Sequence, residues 1–186
     1  MKRKLFILSI LAICLAIVAT GSLAYYTAEG KAHNIITTGN VEIEVREWTE
    51  GGKPFQNLEG ILPGMRVTKI AEVENTGGAT AWIRVKLTKS ILLKVEDVTP
   101  DTSLVELNLN LEDWTQAEDG YLYYNDPVDP GEKTEPIFTH VTFNKTMGNE
   151  YQNATATVEV YAQAVQNFKN GTTALEATGW PLEEKL

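Results

Sequence analysis

The stretch Val41-Glu42-Ile43-Glu44-Val45-Arg46 decides the fold, because apolar and charged residues alternate at every position. Successive side chains of a β-strand point to opposite faces, so the stretch predicts a strand with one buried and one solvated face. Three later stretches repeat the alternation, at 83–88, 105–112 and 156–164. Strands with one wet face are typical of antiparallel sheets packed face to face, and we therefore expect an all-β protein.

Turn-forming residues separate these stretches at fairly regular intervals. Proline fixes φ near its turn value, and glycine or asparagine accepts positive φ, so such clusters mark chain reversals. Helix signals are weak, and 111–117 is expected to form at most a single turn. Many short strands separated by such turns predict an antiparallel jelly roll or β-sandwich. The clusters include Leu62-Pro63-Gly64, Asn75-Thr76-Gly77-Gly78, Asp119-Gly120 and Asn170-Gly171.

The N-terminus has the three parts of an export signal. Lys2-Arg3-Lys4 precedes an apolar run over 5–19, and small residues, Ser22 and Ala24, follow at the −3 and −1 positions of a cleavage site. We expect a hydrophobic signal helix over 1–24 and a mature chain that begins at Tyr25. The predicted domains are the signal peptide (1–24), a mature N-terminal segment (25–40) and a jelly-roll β-sandwich (41–186).

Two other interpretations of the N-terminus stay open. A permanent anchor usually needs about 20 apolar residues, and this run is shorter and lacks a basic stop-transfer cluster. A lipoprotein would use Cys14, but Ile13 stands where a small residue is expected. Cys14 is the only cysteine, so cleavage leaves a chain without disulfides, a cysteine nucleophile or cysteine-bound zinc.

The mature chain is strongly acidic. It has 13 basic and 25 acidic residues, a net charge of −12, because the signal removes three basic residues. Binding to nucleic acid or to anionic lipid requires neutralising phosphates, so the charge argues against both. Together with the export signal, the charge predicts a secreted protein that contacts the membrane only through the signal peptide before cleavage.

Several segments together resemble one family. The stretches Gly21-Ser22-Leu23-Ala24-Tyr25-Tyr26-Thr27 and Asn34-Ile35-Ile36-Thr37-Thr38-Gly39-Asn40-Val41 are similar to the segment that opens proteins exported through SipW-type signal peptidases. Further matches are Leu62-Pro63-Gly64-Met65-Arg66 with Val73-Glu74-Asn75-Thr76-Gly77, and Tyr121-Leu122-Tyr123-Tyr124-Asn125 with Pro130-Gly131-Glu132. The order of these matches resembles the TasA and camelysin family of Gram-positive bacteria, and within it the clostridial type.

The resemblance implies a jelly-roll domain that builds fibres of a cell surface or biofilm matrix. In TasA-like fibres the mature N-terminal segment of one subunit supplies a strand to the next, and the partners expected here are other copies or related fibre subunits. Cleavage by a SipW-type peptidase would free the segment 25–38, with Tyr25, Tyr26, Ile35 and Ile36 as the pocket-filling donor residues. An open sheet edge accepts such a strand through its unpaired N–H and C=O groups.

Camelysin was named as a metalloprotease, so catalysis is the first alternative. Zinc peptidases commonly use H-E-x-x-H, whereas this chain has only His33 and His140, about a hundred residues apart. We expect no enzyme and no catalytic residues; the rival predicts chelator-sensitive cleavage of casein that is lost in His33→Ala or His140→Ala. No cofactor is expected, although Asp119, Asp126, Asp129 and Glu132 could form an oxygen-rich calcium site.

The second alternative is a monomeric ligand-binding surface domain. Trp82 falls on the same strand face as Arg84 and Lys86, opposite the apolar face. Either both faces of this sheet are covered, or the aromatic and cationic face contacts a partner. The cluster of Tyr121, Tyr123 and Tyr124 is compatible with carbohydrate binding, but on strands it is expected to fill the sandwich.

Overall fold

The alternating stretches form strands in the computed structural model of the protein. The structure describes residues 40–55 and 62–182, and the backbone of 36 and 37. These residues belong to one compact unit, His33–Leu186. Within them the strands are β1 (Ile36–Thr37), β2 (Ile43–Trp48), β3 (Arg66–Asn75), β4 (Ala81–Leu92), β5 (Val105–Leu109), β6 (Trp114–Gln116), β7 (Leu122–Tyr124), β8 (Phe138–Phe143) and β9 (Thr155–Gln166).

The described strands form two sheets. The first, sheet A, has the order β1-β9-β4-β7-β6, and the second, sheet B, has the order β2-β3-β8-β5. All pairings are antiparallel except that of the short β1 with β9. Two single 3₁₀ turns, Thr102–Leu104 and Asn149–Tyr151, are the helical elements of this part of the chain. The prediction of an all-β sandwich is confirmed.

The core lies between the sheets and is built from one side of each alternation. Burying these side chains removes apolar surface from water, which is the main favourable contribution to folding. The opposite residues of each strand form the two outer faces. The buried set includes Val41, Ile43, Val45, Ala71, Val73, Ile83, Val85, Val105, Phe138, Val141, Val158, Val160, Ala162 and Ala164.

The turn between β3 and β4 shows why the sequence places glycine there. The N–H of Gly77 donates to the C=O of Glu42 at 2.9 Å, which brings the turn against the chain entering β2. A Cβ on Gly77 would lie 2.5 Å from the Glu42 nitrogen, a distance that no side chain tolerates. Glycine therefore permits the close approach of the two segments.

Some sequence predictions differ from the structure. The single turn expected within 111–117 is present but short, since the chain turns at 111–113 and then forms β6. The predicted strand over 105–112 ends at Leu109. The signal helix 1–24 lies outside the described residues. Within the described part, no helix is both long and apolar enough to span a bilayer.

Candidate assembly edge

Strand β9 is paired along its whole length on one side. Ala81 to Leu92 of β4 face Gln166 to Thr155 of β9 without a break. The N–H of Asn167 donates to the C=O of Thr80 at 2.9 Å, and this pair continues the same register. In an antiparallel ladder such hydrogen-bonded pairs alternate with non-bonded ones. The odd-numbered residues of β9 therefore turn their backbone groups toward β4, and the even-numbered ones turn theirs to the opposite edge.

The opposite edge of β9 is where β1 lies. Ile36 pairs with Gln163 and Thr37 with Ala164, in parallel. Within the described residues, this two-residue contact is the strand pairing on that side of β9. Further down β9, the backbone groups of Val160 and Ala162 point the same way as those of Ala164. They form a pairing edge that continues from β1.

A lysine of sheet B, Lys69, reaches this edge of β9 at Val158, beyond Val160 as seen from β1. The Nζ atom of Lys69, on β3, donates to the C=O of Val158 at 3.0 Å. The same ammonium lies 2.8 Å from a carboxylate oxygen of Glu47 on β2 and 4.8 Å from the ring centre of Phe55. The side chains of Lys69 and Glu47 are only 8% and 17% exposed. Lys69 is thus held in place from three directions while it caps Val158.

Strand β5, at one end of sheet B, has a similar cap. The N–H of Asn144 donates to the C=O of Leu104 at 2.9 Å, so the next residue, Val105, turns its backbone groups away from β8. The Nζ atom of Lys89, on β4 of sheet A, donates to that C=O of Val105 at 2.7 Å. At both places a lysine of one sheet satisfies an edge carbonyl of the other sheet.

The outer face of sheet A carries a cluster centred on Arg84. Register places Arg84 between Gln163 of β9 and Tyr123 of β7. Its Nε and Nη2 atoms donate to the Gln163 side-chain oxygen at 2.8 and 2.7 Å, and Nη1 donates to the Tyr123 hydroxyl at 2.9 Å. The guanidinium lies 3.9 Å from the ring centre of Tyr121 and 4.6 Å from that of Trp180. Arg84 therefore has partners both in the plane of its guanidinium and on its faces.

The C-terminal strap, residues 167–182, covers this cluster. The indole N–H of Trp82 donates to the C=O of Asn170 at 2.9 Å, and the side-chain amide of Gln163 donates to the C=O of Pro181 at 3.1 Å. Trp82 and Gln163 are consequently almost fully buried on what would otherwise be an outer face. The first interpretation of the Trp82 face, in which both sheet faces are covered, is the one that the structure shows.

Tyrosines of the predicted aromatic cluster divide between two places. Tyr124 packs in the sandwich core, 5.0 Å from the ring centre of Trp114, whereas Tyr121 and Tyr123 pack under the strap. Burial raises the pKa of Tyr123, and its hydrogen bond to Asp119 adds to the effect. The expectation that the whole cluster fills the sandwich holds for Tyr124 and is wrong for Tyr121 and Tyr123.

Asp119 completes the polar side of the cluster. It accepts from the Tyr123 hydroxyl at 2.7 Å and from the Tyr121 N–H at 3.0 Å, and lies 3.6 Å from Arg84. Burial alone would raise the pKa of this carboxyl. The two hydrogen bonds and the positive charge of Arg84 outweigh burial, and the pKa lies below its ordinary value.

Among the described residues, the candidate metal ligands do not form a three-residue group. Asp129 accepts from the Thr80 hydroxyl at 2.6 Å. His140 lies on β8, with Nδ1 2.8 Å from the Thr139 hydroxyl oxygen. Across residues 40–55 and 62–182, no three His, Cys, Asp or Glu side chains are grouped so as to hold a metal ion. His33 lies outside the described residues.

The predicted processing and donor residues lie mostly outside the described part of the chain. This is so for Ser22, Ala24, Tyr25, Tyr26 and Ile35. Ile36, the last of the donor residues, has a described backbone and forms β1 on the edge of β9.

Sequence reasoning missed the two lysine caps and the strap. One signal was available: Lys69 and Glu47 stand at inward positions of alternations that are otherwise apolar, Val67-x-Lys69-x-Ala71 and Val45-x-Glu47. An inward charge on a strand is a known way of protecting a sheet edge. No comparable sequence pattern predicts the strap, because its position depends on contacts with strands far away in the sequence.

No family model and no curated protein matches the chain. Among solved structures, it is similar to the carbohydrate-binding module CBM3b from the cellulosomal cellobiohydrolase 9A of Clostridium thermocellum. The match has 10% sequence identity and a TM-score of 0.29, and covers 68% of this chain and 92% of that one.

Proposed function

We propose that this protein is a secreted structural subunit of a cell-surface or biofilm-matrix fibre, assembled by donation of the mature N-terminal strand to a neighbouring subunit. The observation that supports this most directly is the edge of β9. The segment expected to be donated ends in β1, and β1 lies on that edge. The same residues of a neighbouring copy would offer the same backbone groups to the same edge.

The geometry of exchange favours a filament over a closed pair. The N-terminal donor segment and the acceptor edge at β9 are different surfaces. Each subunit would therefore donate a strand through one surface and accept a strand at the other. Such head-to-tail contacts do not close on themselves unless the rotation between copies happens to form a ring. The export signal and acidic mature chain fit assembly outside the cell, after removal of 1–24 by a SipW-type signal peptidase.

Electron microscopy of the purified mature chain, starting at Tyr25, tests the proposal. We expect filaments from the intact mature chain and none after deletion of 25–38, while circular dichroism of the deletion variant still shows a folded β protein. A synthetic peptide of residues 25–38, added in excess to the intact chain, should shorten the filaments because it occupies the edge without bringing another subunit.

A matched control keeps the donor segment and removes an exposed apolar side chain elsewhere. Leu111→Ser is suitable, because Leu111 is 58% exposed and distant from β1 and β9 in the sheet order. It should assemble like the parent chain. Filaments of unchanged length and number in the 25–38 deletion would sink the donor-strand proposal.

A further inference from the structure

Lys69 divides the edge of β9 into an open and a closed part. On the open part, the backbone groups of Val160, Ala162 and Ala164 face outward, and β1 already lies at Ala164. On the closed part, the ammonium of Lys69 holds the C=O of Val158 at 3.0 Å. A strand that pairs along this edge would bring its own N–H to that carbonyl, where the buried ammonium already lies, so we expect pairing to stop there.

We propose that Lys69 sets the register of strand addition by ending the pairing edge of β9 at Val158. A strand in the register of β1, whether from the same chain or from a neighbour, then pairs along Val160 to Ala164 and no further. For a neighbour's strand this rests on the proposed function. The stop at Val158 lies six residues along β9 from Ala164, the residue that pairs with Thr37 of β1.

The surroundings of Lys69 suit a stop better than a stabilising contact. A buried ion pair such as Lys69 with Glu47 contributes little net stability, because desolvation of the two charges offsets their attraction. What such a pair does provide is a fixed position. The ammonium is held by Glu47 and Phe55 and cannot swing aside when a strand arrives.

Lys89 offers a matched comparison at β5, an end strand of sheet B. It caps Val105 of β5 in the same manner, from the opposite sheet, and its backbone lies opposite Val158 on the β4 side of β9. Removing Lys89 tests the general effect of losing a lysine that caps an edge carbonyl. Removing Lys69 tests the register of β9 itself.

The experiment is residue-resolved amide hydrogen exchange on the full mature chain, in soluble form and in filaments. The test variant is Lys69→Met combined with Glu47→Gln, which removes both charges and leaves no buried carboxylate unpaired. In the parent chain we expect slow exchange at Ala162 and Ala164 and fast exchange at Val158. In the double variant, exchange at Val158 should slow roughly tenfold as the pairing strand runs past the former stop.

Each outcome decides the proposal. The Lys89→Met variant should keep the parent pattern along β9, because it opens a different edge. Slow exchange at Val158 in the parent chain would overturn the proposal that Lys69 ends pairing there. An unchanged exchange pattern along β9 in the double variant would overturn it as well. Failure of the proposed function looks different: the parent chain forms no filaments. In that case, exchange in the soluble parent chain and the soluble double variant still tests whether Lys69 limits pairing of β9 with the chain's own β1.

Discussion

The outer faces of the two sheets carry similar residues but differ in how far they are covered by other parts of the chain. On β4 the outward residues are Trp82, Arg84 and Lys86, and on β2 they are Glu44, Arg46 and Trp48. Around Trp82 and Arg84 the first face is covered by the C-terminal strap, whereas Lys86 and the three residues of the second face are half-buried. The Arg84 side chain is 11% exposed, whereas that of Arg46 is 33% exposed.

The partners of the two arginines show what covering a face changes. Arg46 pairs with the carboxylates of Glu44 and Glu74, at 2.8 and 2.9 Å, in a network that water reaches. Arg84 is held mainly by a neutral amide, a hydroxyl and aromatic rings. Ion pairs near the surface contribute little because solvent screens them, while a buried cation depends on every partner. The same residue type is therefore a surface feature in one sheet and a structural centre in the other.

The largest expected effect tests this difference directly. Replacing Arg84 by Met removes the donors that satisfy the buried Gln163 oxygen and the positive charge beside Asp119. We expect the free energy of unfolding to fall by about 3 kcal/mol. Arg46→Met, the matched control on the other face, should cost about 1 kcal/mol or less. Denaturant unfolding measures both, and equal losses would contradict the distinction between the two faces.

The two tryptophans provide a second, smaller contrast. Trp180 of the strap packs edge-on against Tyr123, with ring centres 5.8 Å apart, and over Arg84. Trp48 lies on the surface, where its indole N–H donates to Glu72 at 2.8 Å. Trp180→Ala should lower the unfolding free energy by about 2 kcal/mol, and Trp48→Ala by about 1 kcal/mol.

A fluorescence measurement separates loss of the strap from general loss of packing. In Trp180→Ala the strap should loosen over Trp82, so the accessibility of the remaining tryptophans to a neutral quencher should rise. In Trp48→Ala it should not rise, because the strap stays in place. If quenching rises equally in both variants, Trp180 does not hold the strap against sheet A.

The smallest expected effect is the pH dependence of the covered face. Because the folded-state pKa of Asp119 lies below its unfolded value of about 3.9, the ionised carboxylate stabilises the fold above that value. This stabilisation is lost as pH falls through the folded-state pKa. It should be under about 1 kcal/mol, since the side chain is 45% exposed and solvent screens its charge.

Asp119→Asn measures this contribution. The variant should unfold at slightly lower denaturant concentration than the parent at pH 7, and the gap should narrow below about pH 4, where the parent carboxyl also becomes neutral. Glu44→Gln on the uncovered face should leave the midpoint at pH 7 nearly unchanged. A gap for Asp119→Asn that stays constant from pH 7 to pH 3 would contradict the electrostatic account.

The sequence predicted the strands well because their signal is local. Alternation at 41–46, 83–88 and 156–164 places inward and outward residues correctly, and each stretch lies in or overlaps an observed strand. The turn expected within 111–117 ends at residue 113, because β6 pairs with β7 from Trp114 onward. The donor segment was proposed from a resemblance, and only the position of β1 relates it to a particular edge.

Residue order alone determined the alternation, the turns and the acidic surface, since each depends on neighbours in the chain and on the geometry of an extended backbone. Tertiary structure decided which outer face is covered and where an edge is open. Arg84 meets Trp180 across almost a hundred residues, and Lys69 meets Val158 across 89. Such contacts depend on the order of strands in the two sheets and on the path of the strap, which no local pattern records.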